Sequence, residues 1–138
     1  MKKDIEQQLF EYPTLEQKAA ILRKQADRLR TQMDIQTETL LDKQLDDETR
    51  KELVDELQKS EKVLLKLYST ADDLSLQKVT IDASLTLLSN VEYEIITGYY
   101  FEDNSIQELS DSTGYSYSWT HKLRSKALSK LIDVLEVI

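Results

Sequence analysis

Apolar residues recur along this chain at helical spacing for most of its length. Leu15, Ala19, Leu22, Ala26, Leu29, Met33, Gln36 and Leu40 alternate steps of four and three, the a/d seam of a heptad pattern. Thr14 and Gln17, just after Pro13, have the spacing of a capping box and predict the start of this helix there. The period loosens at residues 42–47, where Asp46 or Asp47 can accept N–H bonds from a new first turn. A second seam follows through Leu53, Leu57, Ser60, Leu64, Leu67, Ala71 and Leu74. Ser69, Thr70, Asp72, Asp73 and Ser75 can kink or interrupt it. Leu76, Val79, Ala83 and Leu87 then resume the apolar pattern and carry the expected helix to about Leu88. Two seams joined by a short polar turn predict an antiparallel helical hairpin, or one arm of an intermolecular coiled coil.

From Ser89 onward, caps and breakers become dense. Ser89 and Glu92 form a predicted capping box that opens a helix through Ile95, Ile96 and Tyr99, ended by Glu102-Asp103-Asn104. Ser105 and Glu108 form another, opening a short helix to about Ser112. Gly114 stands where a left-handed turn residue is needed, and Ser116 caps a last helix through Trp119, Leu123, Ala127, Leu128 and Leu131. Short helix, glycine turn, second helix is the helix-turn-helix plan, and its second helix is the one expected in the major groove. Ser110 is small enough for the two helices to cross closely. The predicted class is therefore all-α, with residues 1–88 as a hairpin for oligomerisation or partner docking. Residues 89–138 are the predicted DNA-binding domain.

Composition narrows the chemistry. Glycine occurs only at Gly98 and Gly114 and proline only at Pro13, too few for strands joined by tight turns. No apolar run approaches the ~20 residues of a membrane span, and the opening Met1-Lys2-Lys3-Asp4 leads into acids and glutamines rather than a signal peptide's apolar core. With no cysteine and a single histidine, His121, neither disulfides nor a thiolate or His-rich metal site is expected, and no cofactor is implied. No nucleophile–base pairing or glycine-rich phosphate loop points to an enzyme. The net charge of -8 argues against a non-specific nucleic-acid binder. Its distribution argues differently: Lys122, Arg124, Lys126 and Lys130 fall in the last helix, and no acid lies between Ser116 and Lys130. A solvated charge run is the ordinary reading of four such bases. After a helix-turn-helix turn they read better as a phosphate-facing surface, with Lys130 alternatively a structural cation that suits the helix dipole.

The stretch from Leu88 to Ser110 resembles the first half of region four of bacterial sigma factors. Gly114-Tyr-Ser-Tyr-Ser-Trp-Thr-His-Lys-Leu-Arg-Ser-Lys-Ala-Leu-Ser-Lys-Leu131 resembles the second half. Nothing resembles the promoter-melting second region. The whole chain is more similar to the small phage late-transcription activators of the RinA and ArpU type, and Leu9-Phe-Glu-Tyr-Pro-Thr-Leu15 looks like their Tyr-Pro segment ahead of a long helix. That resemblance implies a sequence-specific activator of phage packaging, morphogenesis or lysis genes, working in the bacterial cytoplasm on double-stranded DNA with host RNA polymerase; the heptad seams add the expectation of a homo-oligomer. Thr120 departs from the family pattern, which has a larger aliphatic residue facing the core.

By the sigma-factor pattern, Tyr117, Ser118 and Lys122 take the base-reading positions, with His121 beside them and Ser125 following as the helix leaves the groove. Arg124, Lys126 and the backbone N–H groups near Ser105 and Ser116 are expected at phosphates. Trp119 reads first as a core or interface anchor and second as a base contact. Tyr99, Tyr100, Phe101 and Tyr115 read as core. The acids Glu92, Glu94, Glu102 and Asp103 form a candidate face for polymerase, against the plainer reading of a solvated acidic surface. Two alternatives stand beside the activator: a phage small terminase subunit that recognises packaging-site DNA, and a regulator that binds polymerase or sigma factor without reading DNA.

Overall fold

The computed structural model describes residues 2–136, with side chains from residue 4. Met1, Val137 and Ile138, which fall in the expected 1–88 and 89–138 ranges, lie outside the described residues. Five α-helices follow in order: α1 (Lys2–Leu40), α2 (Asp47–Leu85), α3 (Asn90–Ile96), α4 (Ile106–Thr113) and α5 (Tyr117–Leu135), with a π-helical turn, Thr97–Phe101, after α3. No strand occurs among the described residues. The chain forms two compact units, Glu16–Ser75 and Met1–Leu15 with Leu76–Ile138, a different partition from 1–88 and 89–138.

In the first unit the two seams face each other within the chain. Leu15 lies outside this unit, but Ala19 and Ala26 on α1 and Ala71 on α2 are fully buried, and the other seam residues are half-buried. Cross-links between the helices run antiparallel: Arg23 donates to Asp72 at 3.1 Å and to Ser75 at 3.0 Å, Tyr68 to Asp27 at 3.0 Å, and Gln36 to Glu56 at 3.4 Å. These bonds explain why the polar run 69–75 does not break α2. Its Asp72 and Ser75 face Arg23, while Ala71 fills the seam. At the hairpin tip Asp46 caps α2 by accepting from the Thr49 N–H at 2.7 Å. Arg50 reaches back to donate to the carbonyls of Leu40 and Asp42, satisfying acceptors that the end of α1 leaves open.

The second unit corrects the expected start of α1. Pro13 lies inside the helix, and Thr14, instead of capping, donates its hydroxyl to the Glu11 carbonyl at 2.8 Å. An interior proline costs about 3 kcal/mol through its missing N–H and its clash one turn back. Burial outweighs it. Ile5 and Leu9 are buried in the core of this unit, each contributing roughly 1.5–3 kcal/mol, and Tyr12 stacks on Phe101 with ring centroids 4.2 Å apart while donating to Asp82. The core continues through Ile81, Leu85, Ile95, Ile96, Leu109, Leu128 and Leu131. Helix α2 ends at Leu85 rather than Leu88. Residues 86–88 tighten into i→i−3 bonds that lead to the Ser89 cap.

Because Leu9 has no exposed surface, Leu9→Ala should destabilise this unit by about 2–5 kcal/mol. Thermal unfolding of the full chain measures it. A melting temperature equal to that of the unaltered protein would show that the first helical turns do not belong to this core.

Candidate nucleic-acid interface

Local capping builds the C-terminal helices as the sequence predicts. The Ser89 hydroxyl accepts from the Glu92 N–H and the Glu92 carboxylate accepts from the Ser89 N–H, a complete capping box on α3. Ser105 and Glu108 repeat it on α4. Gly114 ends α4 at φ +80°, a conformation that a Cβ penalises. Ser110 is buried and donates to the Tyr115 carbonyl at 2.6 Å, tying α4 to the turn. The Ser116 hydroxyl accepts from the Trp119 N–H at 3.1 Å and opens α5.

Gly98 explains how α3 and α4 approach. A Cβ placed there would lie 2.5 Å from Leu109 Cδ2, so the backbone of the π-turn itself contacts the α4 core residue. Asp103 then turns the chain in the left-handed region at φ 58° before Ser105.

Helix α5 is two-faced. Thr120, Ala127, Leu128 and Leu131 are buried. Thr120 does face the core, and its hydroxyl is satisfied by donating to the Ser116 carbonyl at 2.8 Å, so the smaller polar residue leaves no unmet bond. On the opposite side Ser118, His121, Lys122, Ser125, Lys126 and Ser129 are all exposed. Ser118, Lys122, Ser125 and Ser129 follow steps of four, three and four along one stripe. Ser129 was not among the sequence candidates, although that spacing points to it.

The four bases of α5 divide evenly. Lys122 and Lys126 are exposed and make no ion pair among the described residues. Arg124 is turned inward instead of toward phosphates. Its side chain is only 13% exposed and lies 3.7 Å from the Glu6 carboxylate. It donates to the Tyr100 hydroxyl at 3.4 Å and sits 4.6 Å from the centroid of the Tyr99 ring. Tyr100 in turn donates to Glu6 at 2.9 Å. Burial, reinforced by the Glu6 carboxylate, holds the Tyr100 phenol well above its usual range, so it stays a neutral donor.

Lys130 is half-exposed, but its ammonium is taken, donating to the Glu92 carboxylate at 2.7 Å. The Glu92 side chain is 3% exposed, so it leaves the candidate acidic face, where Glu94, Glu102 and Asp103 remain exposed. Burial raises the Glu92 carboxyl, but the Lys130 bond and the Ser89 N–H overcome it and hold the group below its ordinary value.

The aromatic residues sort differently from their sequence reading. Tyr100 is buried, and Tyr99 and Phe101 are half-buried. Tyr115 is exposed rather than core. Tyr117 and Trp119, at the start of α5, are about half exposed, 56% and 49%. That excludes Trp119 as a core anchor within the chain and leaves it on the surface. A groove of about 660 Å³ lined by Tyr12, Asp82, Tyr93, Thr97, Phe101 and Glu102 contains no α5 residue. No cluster of His, Cys, Asp and Glu able to hold a metal occurs among the described residues.

No protein-family model matches this chain, and neither does any curated protein or solved structure.

The Glu92–Lys130 pair predicts an acid-sensitive fold. A carboxyl depressed below the ordinary 4.5 contributes stability that is complete above that pH and lost as pH falls through the folded-state value. Glu92→Gln keeps an acceptor for the Ser89 N–H but no charge, so it should lower the melting temperature at neutral pH and flatten its acid decline. An unchanged profile in the variant would contradict this role.

Proposed function

We propose that this chain is a sequence-specific double-stranded DNA-binding protein that activates transcription together with host RNA polymerase. The observation that supports the DNA reading best is the outward stripe of α5. Small polar side chains there, Ser118, Ser125 and Ser129, alternate with the unpaired Lys122 and Lys126 and no acid. Such a face is narrow enough to enter a major groove and carries donors for base edges and phosphates. The first turn of α5 contains no acid either, which leaves its dipole and the N–H groups not taken by the Ser116 cap available to a phosphate. The α4–Gly114–α5 arrangement is consistent with a helix-turn-helix in which α5 reads.

Residue roles follow from placement. Lys122 donates to guanine O6 or N7, Ser118 bonds a base edge in either direction, and Tyr117 packs on a thymine methyl. Lys126 and the backbone near Ser105 and Ser116 hold phosphates. His121 and Ser125 flank the stripe, and Trp119 lies at its edge. Arg124 becomes a positioning residue that fixes α5 from behind. Activation of phage late genes rests on the resemblance to the RinA and ArpU activators, with exposed Glu94, Glu102 and Asp103 as the face offered to polymerase.

Footprinting on promoter fragments, with and without host polymerase, tests the reading. A protected site is expected in at least one condition, and protection in neither would reject it. Lys122→Ala should weaken specific binding about tenfold. Lys126→Ala should lower the dependence of log affinity on log salt by about one unit while leaving sequence preference intact. Equal affinities for both variants and the unaltered chain would remove α5 from the interface.

A further inference from the structure

The end of α2 carries a second apolar stripe that the core does not use. Its inward face is Ile81, Ser84 and Leu85, all buried. On the outward face Leu76 and Val79 are 64% and 61% exposed and Leu87, in the tightened turn that follows, is 54% exposed. Ala83 and Thr86 are exposed between them. In a chain that is 32% charged, this face spans three turns without one charged residue. Leucines stand at both ends, and the small Ala83 near the middle lets another helix approach closely.

We propose that this face is covered by a second copy of the same chain, with the two stripes packed antiparallel about a two-fold axis near their middle. The order of side chains is self-complementary: turning the stripe end for end sets Leu76 of one copy against Leu87 of the other and brings the small central residues together, as an isologous contact requires. Charge within the face does not oppose this occupant. Two copies that each carry -8 repel through most approaches, and this uncharged face lets them meet without opposing carboxylates. The face also offers no charge by which a basic or acidic partner would be recognised. Its area fits a weak dimer: the exposed side chains amount to roughly 400 Å² per copy, about 800 Å² in total, below the ~1,200 Å² of standard stable interfaces. The pair forms in a concentration-dependent manner and presents two α5 surfaces, as a reader of two half-sites requires.

Sedimentation equilibrium of the full chain without DNA tests this independently of any nucleic-acid role. A monomer–dimer equilibrium is expected, together with its loss in Ala83→Glu at unchanged helical circular dichroism. Ile35→Glu, a change at an exposed apolar site in the other unit, should leave the dimer intact. The chain has no cysteine, so two single-cysteine variants, Leu76→Cys and Leu87→Cys, report direction. They should cross-link when mixed and not alone, since like positions would stand about 16 Å apart along the helix. A monomer at every concentration, an assembly larger than a dimer, a dimer indifferent to Ala83→Glu or lost in Ile35→Glu, or cross-linking of either variant alone would each overturn the proposal.

Discussion

The Arg124 guanidinium, held by Glu6, Tyr100 and the face of Tyr99, is the contact on which the second unit depends. It joins the first turns of α1 to the π-turn and to the middle of α5. Removing a guanidinium from water costs several kcal/mol unless a carboxylate and further acceptors replace the lost hydration, so Glu6 and Arg124 require each other. The consequence for function is geometric. A helix gripped on its inner side by a charge pair and by buried Leu128 and Leu131 keeps its outer side fixed in direction, with Lys122 and Lys126 unspent. The fifteen residues before the hairpin are thus part of the unit that carries the candidate reading surface.

Local signals were the legible ones. Ser89 with Glu92, Ser105 with Glu108, Gly114 and Ser116 all act within four residues, so their caps and turn appear in the structure where the sequence places them. Both heptad seams likewise lie on the less exposed side of their helices, with Leu15, Ala19, Ala26 and Ala71 buried and the rest half-buried. What escaped the sequence was decided by distant partners. Pro13 reads as a helix boundary until Ile5, Leu9 and Tyr12 find a core to fill. Arg124 reads as a phosphate contact, Lys130 as part of a basic face or as a helix-end cation, and Glu92 as a surface acid. Which side of a helix each faces depends on packing that neighbouring residues do not reveal. Leu76, Val79, Ala83 and Leu87 continue an apolar period in sequence, yet they lie opposite the face that the core uses.

Pairing also changes the electrostatic picture. Of the four bases in α5, Arg124 and Lys130 are taken by Glu6 and Glu92, which leaves Lys122 and Lys126, while the protein as a whole is strongly acidic. If α5 reads DNA as proposed, few phosphate contacts against general repulsion should give weak affinity for arbitrary duplex and a shallow salt dependence. Useful occupancy then comes from base contacts, from a second reading unit, or from polymerase. In this account the acidic balance makes binding selective rather than forbidding it.

Selecting bound duplexes from a randomised pool with the full chain at low salt asks whether the outward face of α5 reads DNA sequence as proposed. A short enriched motif is expected, replaced by a more degenerate one in Lys122→Ala. A bound fraction no richer in any sequence than the starting pool would contradict it.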